Sequence, residues 1–87
     1  MKYWKIESIP DWLFISAPIM EKETSFKINR QLVLEFKEIE EIVKNSNLKG
    51  WIGYANLKNL KIMIMYLKVG AIPYKIENEN LWFKKII

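Results

Sequence analysis

The chain has 87 residues, of which 51% are hydrophobic and 28% are charged, and its formal net charge is +4. This length and composition predict one globular domain over residues 1–87 with a small hydrophobic core. The chain contains no cysteine and no histidine. Their absence excludes disulfides, thiolate nucleophiles, imidazole acid–base catalysis and zinc sites with the usual ligands, so we expect no metal site.

The basic residues are nearly all lysines, and they are spread along the chain without a cluster. Arg30 is the single arginine among fourteen basic residues, whereas nucleic-acid-binding proteins commonly use arginine for bidentate contacts to bases and phosphates. We therefore interpret the lysines as a solvated surface and do not expect nucleic acid as a partner, although a nucleic-acid-binding module remains a third hypothesis for the function.

The N-terminus lacks the features of a targeting segment. Residues 1–10 contain neither the apolar core nor the small-residue cleavage site of a signal peptide, and no run of the chain approaches the roughly 20 apolar residues that span a bilayer. The sequence therefore predicts a cytoplasmic protein without membrane association.

Two strands are predicted in the first part of the chain. Residues 2–8 alternate in polarity, with Trp4 and Ile6 on one side, as in a half-buried strand. Residues 12–20 form a continuous apolar run that is typical of a central strand covered on both faces. Because Pro18 lacks a backbone N–H, we predict a bulge or the end of pairing at that residue.

The hydrophobic period changes to that of a helix between residues 25 and 45. The apolar residues on one face of this helix are Ile28, Leu32, Phe36, Ile39 and Val43. Charged residues occupy the other face, so the segment predicts an amphipathic helix of about five turns. Thr24 or Ser25 can supply the N-cap oxygen.

The last part of the chain predicts a strand, a helix and a hairpin. Residues 50–55 are a short β-prone run, residues 57–69 fit a second helix, and Gly70 suits a left-handed C-terminal cap. Two further β-prone runs, residues 74–76 and 81–84, flank a polar turn and predict a hairpin. The predicted fold is α/β (α+β), with the order β-β-α-β-α-β-β and a partly parallel, mixed sheet joined by right-handed crossovers.

Seven residues of the second helix and its C-terminal turn fall at a particular spacing: Asn59, Ile62, Met65, Tyr66, Val69, Gly70 and Ala71. In this spacing and in its element order, the chain from about Trp12 onward resembles the C-terminal half of the GNAT superfamily of acyl-CoA-dependent N-acyltransferases. The resemblance implies a GNAT-like half fold over the single domain.

The resemblance also implies roles for two residues. The position matched by Asn59 lies near the coenzyme in that superfamily, and the position matched by Tyr66 often serves as the general acid that protonates the departing coenzyme A thiolate. The chemistry is reasonable because a phenol with an ordinary pKa of about 10 holds its proton at neutral pH. The alternative is a structural tyrosine that packs at the helix end with its hydroxyl in water.

The chain departs from the superfamily at the loop that binds the pyrophosphate. Relatives open the first long helix with a glycine-rich loop, and the aligned positions here are Thr24, Lys27 and Asn29, in a segment without glycine. Glycines let backbone N–H groups approach phosphate oxygens closely, whereas side chains obstruct them. We therefore expect no cofactor, and the alternative is acetyl-CoA bound near Asn59, Lys27 and Asn29.

The second helix is apolar on two faces. The face predicted to pack on the sheet consists of Leu57, Leu60, Ile64, Leu67 and Ala71. Ile62, Met65 and Val69 are predicted to project to the opposite side, where either other elements of the chain cover them or they form a protein interface such as a homodimer. Trp4 and Trp82, in the terminal strands, would join this interface if they are exposed.

Two functions follow from these features. The first is a non-catalytic or degenerate GNAT-like protein that binds another protein, for example a phage-encoded inhibitor of a host enzyme in the host cytoplasm. The missing glycine loop, the short chain and the surplus apolar face favour it. The alternative is a minimal acetyl-CoA-dependent N-acetyltransferase with Tyr66 as the general acid.

Overall fold

A five-stranded mixed sheet organises residues 1–22 and 27–87, which are the residues that this computed structural model describes. The elements in chain order are β1 (Lys5–Ile9), β2 (Trp12–Ser16), α1 (Pro18–Lys22), α2 (Arg30–Asn45), β3 (Gly50–Asn56), α3 (Leu60–Lys68), β4 (Ile72–Glu77) and β5 (Asn80–Ile86). The strands lie in the order β1-β2-β3-β5-β4. The α+β class and the predicted order of strands and long helices are confirmed, with α1 as an additional short helix.

The sheet contains one parallel pair, formed by β2 and β3, and three antiparallel pairs. The segment with α2 makes the long connection that parallel strands require. The register joins Trp12–Phe14 of β2 to Gly50–Ile52 of β3, and β3 then continues to Asn56 alongside β5 alone. The parallel pairing is therefore only three residues long.

The C-terminal hairpin matches the prediction from the polar turn. Asn78 and Glu79, between β4 and β5, have φ angles of 53° and 64°. Positive φ at both central residues is the requirement of a type I′ turn, whose twist suits a two-residue hairpin. The hairpin places β5 rather than β4 beside β3.

The N-terminal strands differ in their limits from the prediction. β1 begins at Lys5, so Trp4 precedes it. The predicted end of pairing near Pro18 is confirmed, because β2 ends at Ser16 and Pro18 opens α1. Proline suits the first position of a helix, where its missing N–H has no intrahelical partner to lose. The rest of the apolar run is thus a helix rather than a strand.

The start of α2 is later than the sequence predicts. Asn29 is the N-cap, and its Oδ1 accepts a hydrogen bond from the backbone N–H of Leu32 at 2.9 Å. The residues predicted as caps, Thr24 and Ser25, lie outside the described part of the chain. Ile28, predicted on the buried stripe, precedes the helix and is exposed. The remaining stripe residues are buried as predicted.

Both long helices pack on one face of the sheet, which we call the inner face. Its buried strand residues are Leu13, Ile15, Trp51, Ala55 and Phe83. Phe36 of α2 lies 5.6 Å from Trp51, and Tyr66 of α3 lies 5.5 Å from Trp51, between ring centroids. Residues in β2 and β3 alternate between buried and partly exposed. The opposite face, which we call the outer face, therefore carries the partly exposed side chains.

A buried carboxylate anchors the segment before β1 to α2. Glu35 is fully buried, and its Oε1 accepts hydrogen bonds from the backbone N–H groups of Tyr3 at 3.0 Å and Trp4 at 3.4 Å. The indole N–H of Trp4 donates in turn to the carbonyl of Leu32 at 3.2 Å. Trp4 is only 3% exposed, so its predicted place in a partner interface is wrong.

We expect Glu35→Ala to lower the free energy of unfolding by roughly 2 kcal/mol or more, because it leaves the N–H groups of Tyr3 and Trp4 without their acceptor. Chemical denaturation of both proteins measures the effect. Glu38→Ala, at an exposed position of the same helix, is the matched control and should change stability by less than about 0.5 kcal/mol. Equal effects of the two substitutions would contradict this role of Glu35.

Candidate functional site

The structure reverses the predicted faces of α3. Ile62 is 1% exposed and Met65 is 2% exposed, and both lie in the core, while Val69 packs against it partly buried. The prediction that these residues form a partner interface is therefore wrong. Because both faces of the helix are apolar, the hydrophobic pattern fits either orientation. The insertion of Tyr66 beside Trp51 selects the observed one.

The face predicted to pack on the sheet is instead exposed. It consists of Leu57, Leu60, Ile64 and Leu67, which are 43%, 65%, 48% and 54% exposed. We call these four residues the α3 stripe. Ala71, predicted to belong to the same face, is buried. The helix thus presents a row of large aliphatic side chains to solvent.

Tyr66 lies at the centre of the core rather than at an open site. The ring contacts Phe83 at 5.0 Å and Trp51 at 5.5 Å between centroids, and the residue has no exposed surface. Its hydroxyl donates a long hydrogen bond of 3.4 Å to the backbone carbonyl of Tyr54. The alternative prediction, that the Tyr66 hydroxyl lies in water at the helix end, is therefore wrong.

The electrostatic surroundings make the Tyr66 phenol a weaker acid. Burial raises the pKa of Tyr66 strongly, and the nearby Glu21 carboxylate and Tyr54 raise it further. The pKa of Tyr54 is also raised, first by burial and then by Glu21, which accepts a hydrogen bond from its hydroxyl. Both phenols therefore keep their protons, but Tyr66 has lost acidity compared with a solvated tyrosine.

The lack of a side chain at Gly53 leaves room for the Tyr66 hydroxyl. A Cβ at this position would lie 2.7 Å from the Tyr66 hydroxyl oxygen and 3.1 Å from Cγ1 of Ile15. Gly53 follows directly after the three residues of β3 that pair with β2. The hydroxyl of Tyr66 thus lies at the point where the parallel pairing of β2 and β3 ends.

Asn59 acts as a helix cap and a link between helices. Its Oδ1 accepts a hydrogen bond from the backbone N–H of Ile62 at 3.3 Å, and its Nδ2 donates to the carbonyl of Met20 in α1 at 3.1 Å. A cavity of about 210 Å³ lies beside it, lined by Glu21, Asn56, Lys58 and Asn59. Both ends of the Asn59 amide are therefore occupied by the protein's own backbone.

The side-chain amide of Asn29 is also hydrogen-bonded at both its oxygen and its nitrogen. Its Oδ1 caps α2, and its Nδ2 donates to the hydroxyl of Tyr3 at 2.9 Å. Lys27 is exposed. An anion at this helix end would compete with the Asn29 side chain for the N–H of Leu32, because the cap already accepts from it. The third aligned position, Thr24, lies outside the described residues.

The predicted site residues are only partly brought together. Glu21 connects two of them, because it lines the cavity beside Asn59 and acts electrostatically on Tyr66. The sequence analysis did not single out Glu21, and an isolated glutamate in a charged segment offers no signal for this role. Lys27 and Asn29 belong to a different feature, the start of α2.

Sequence reasoning also missed an aromatic cluster on the outer face of the sheet. Phe14, Tyr54 and Trp82 come from the three neighbouring strands β2, β3 and β5, with ring centroids 5.0–6.0 Å apart. We call these three residues the outer aromatic cluster. The available signal was the alternation of these residues with buried residues along each strand. This alternation shows that the three side chains share one face of the sheet only when the strand order is known. Trp82 is partly exposed.

Nothing matches the chain in comparisons with protein-family models, curated proteins and solved structures. Within residues 1–22 and 27–87, no helix is long and apolar enough to cross a membrane. The same residues hold no group of three or more acidic side chains placed to bind a metal ion.

We expect Gly53→Ala to destabilise the fold by about 1–3 kcal/mol, because the added methyl group overlaps the Tyr66 hydroxyl and presses on Ile15. Thermal unfolding and the near-ultraviolet dichroism of the aromatic core measure the change. Ser16→Ala is a suitable control, since Ser16 lies on the outer face of β2 beyond the parallel register. Wild-type stability of the Gly53→Ala variant would contradict the tight packing of Tyr66.

Proposed function

We propose that the protein is a non-catalytic, GNAT-like half fold that acts by binding another protein through the α3 stripe. The observation that carries this proposal is the exposure of three large aliphatic side chains on one face of α3, together with Leu57 in the turn before it. Monomeric proteins seldom leave such a contiguous apolar row in water, and it commonly marks an interaction surface.

The spacing of the α3 stripe suits a helical interface. Its members within the helix, Leu60, Ile64 and Leu67, stand four and three residues apart, which is the spacing of a coiled-coil seam and of helices that dock into apolar grooves. Leu57 lies in the turn before the helix. Burying one leucine or isoleucine contributes roughly 1.5–3 kcal/mol before the costs of association. Because one stripe can pair with the same stripe of a second copy around a two-fold axis, a homodimer is the simplest partner arrangement.

Several features support a GNAT-like origin without catalysis. The predicted element order occurs in the fold, and the residues of the matched spacing form α3 and its turn, with Gly70 at a φ of 90° as the cap requires. The amides of Asn59 and Asn29 are engaged in capping, and Tyr66 is enclosed by aromatic rings. The size and composition of the chain favour a phage-encoded inhibitor in the host cytoplasm as its biological setting.

We expect the double variant Leu60→Lys, Leu67→Lys to weaken association without unfolding the protein, since both side chains are already exposed. Sedimentation equilibrium at micromolar to millimolar concentration tests self-association, and we expect the affinity to fall at least about tenfold because two apolar contacts are lost. Val33→Lys, at an exposed apolar position of α2, is the control and should associate like the wild type.

A partner other than a second copy gives a different pattern in the same experiment. The wild type is then monomeric. A partner protein that immobilised wild type retains on an affinity column is also retained by immobilised Val33→Lys, but it is not retained by the immobilised double variant. A monomeric wild type whose retained proteins are the same for all three forms would contradict binding through the α3 stripe.

One observation favours the alternative, a minimal acetyl-CoA-dependent N-acetyltransferase. The Tyr66 hydroxyl lies where the parallel pairing of β2 and β3 ends, so an opening of the strands there would expose a phenolic proton donor. The enclosure of Tyr66 and its raised pKa weigh against this role. The position nevertheless makes Tyr66 the residue with which to test catalysis.

We expect millimolar acetyl-CoA to leave the melting temperature unchanged and to give no heat of binding in calorimetry. If acetyl-CoA binds and an amine is acetylated, Tyr66→Phe decides the mechanism. This variant loses only a long hydrogen bond, so it should stay folded, and loss of turnover would then be a loss of acid catalysis. Saturable binding with turnover would replace the non-catalytic proposal.

A further inference from the structure

The outer face of the sheet lacks a helical layer among residues 1–22 and 27–87, because α2 and α3 both pack on the inner face. The partly exposed residues of this face include the outer aromatic cluster, together with Trp12 of β2 and Ile52 of β3. Tyr74, at the edge of the sheet, is 39% exposed. The outer face is therefore an aromatic surface that neither long helix covers, and α1 reaches it through the hydrogen bond between Glu21 and the Tyr54 hydroxyl.

The aromatic rings form a row across the strands rather than along one of them. Tyr54 and Trp82 are directly opposite each other in the register of β3 and β5, with centroids 5.0 Å apart. Phe14 in β2 extends the row, with its ring nearly parallel to that of Tyr54, at an interplanar angle of 20°. Successive flat rings across a sheet are a platform on which unpaired bases stack.

Lysines lie at both ends of this row. Lys75 Nζ lies 4.9 Å from the centroid of the Trp82 ring, and Lys84 Nζ lies 5.2 Å from that of Tyr74. Lys5, in β1, is on the same face at the opposite edge. The sequence spreads these three lysines over 80 residues, and the strand order places them around one aromatic row. Arginine is not needed for this kind of contact, because stacking does not depend on bidentate hydrogen bonds.

Three carboxylates lie on the face or reach it, and they reduce its charge. Glu77 forms an ion pair with Lys75 at 3.0 Å, and Glu7 lies opposite Phe14 in the register of β1 and β2. Glu21 of α1 accepts a hydrogen bond from the hydroxyl of Tyr54. These three glutamates balance the three lysines, while the whole chain carries a net charge of +4. Contact with phosphates is therefore short, and stacking supplies most of the binding.

The area of the face suits a small ligand. Five strands of five to seven residues, spaced about 4.8 Å apart with a rise of about 3.3 Å per residue, give a projected face on the order of 400 Å². Two copies joined by this face alone would bury an area typical of a weak contact rather than of a stable protein interface. A few nucleotides need no more than this area.

We propose that the outer face binds single-stranded nucleic acid, with bases stacked on Phe14, Tyr54 and Trp82 and with phosphates neutralised by Lys75, Lys84 and Lys5. Recognition is by stacking and charge, so it is tolerant of sequence. The surface lies on the opposite side of the sheet from the α3 stripe. It is therefore independent of the proposed protein interface, and neither proposal depends on the other.

Fluorescence anisotropy with labelled eight-nucleotide single strands, one DNA and one RNA, tests this proposal at 20 mM and 200 mM salt. We expect binding at low salt that weakens with a log–log slope of about −1.4 to −2.1, which corresponds to two or three neutralised phosphates at about 0.7 per phosphate. A duplex of the same sequence should bind clearly more weakly, because its bases are not free to stack.

Two matched pairs of variants locate the binding surface. Phe14→Leu keeps an apolar side chain but removes the ring, and we expect about a fivefold or greater loss of affinity because one base loses its stacking partner. Ile6→Ala, on the other face of β1, is its control. Lys84→Gln should weaken binding and flatten the salt slope, whereas Lys37→Gln, at an exposed position of α2, should do neither.

Four results would overturn the proposal. One is no binding of either single strand at 20 mM salt, and another is equal binding of duplex and single strand. The third is an equal loss from Lys37→Gln and Lys84→Gln, which indicates attraction by net charge alone. If Phe14→Leu instead changes the sedimentation mass and leaves the oligonucleotides unaffected, the outer face is a protein interface.

Discussion

The packing of both long helices on the same face of the sheet is the constraint on which the remaining structure depends. The centre of that packing is a series of ring contacts with centroids 5.0–5.6 Å apart. Phe36 of α2 contacts Trp51 of β3, Trp51 contacts Tyr66 of α3, and Tyr66 contacts Phe83 of β5. Once Tyr66 is inserted there, the orientation of α3 is fixed. One face of the helix is buried, the α3 stripe turns to solvent, and the other face of the sheet has no helical layer in the described chain.

The sequence allowed most elements to be predicted, because their signals are local. The period-three-to-four stripe of α2, the left-handed position of Gly70 and the polar turn before β5 each specify an element without knowledge of the fold. The start of α2 could not be placed, since Asn29 competes as a cap with other polar residues nearby. The orientation of α3 could not be predicted either, because apolar residues occur on both faces and only tertiary contacts choose between them.

The candidate site was harder to predict than the fold for a related reason. Asn59 and Tyr66 were identified from spacing, but spacing does not show whether an amide is free or a hydroxyl is accessible. In the structure, the backbone groups of Ile62 and Met20 occupy the Asn59 amide, and rings enclose Tyr66. The sequence analysis did not single out Glu35, although its carboxylate is buried and accepts hydrogen bonds from two backbone N–H groups. Apart from the cap bond with Ile62, the deciding partners are distant in sequence.

The two exposed apolar surfaces have different physical characters, and this difference supports different roles. The α3 stripe is aliphatic and follows one helical face, so it can be buried in a groove or against another helix without hydrogen bonding. The outer aromatic cluster consists of planar rings, lies beside cationic side chains and crosses several strands. Flat rings with neighbouring lysines favour planar, negatively charged ligands, for which aliphatic side chains offer no stacking surface. A chain of 87 residues with a single layer of helices has two sides available for binding, and the chemistry of each side limits what it can bind.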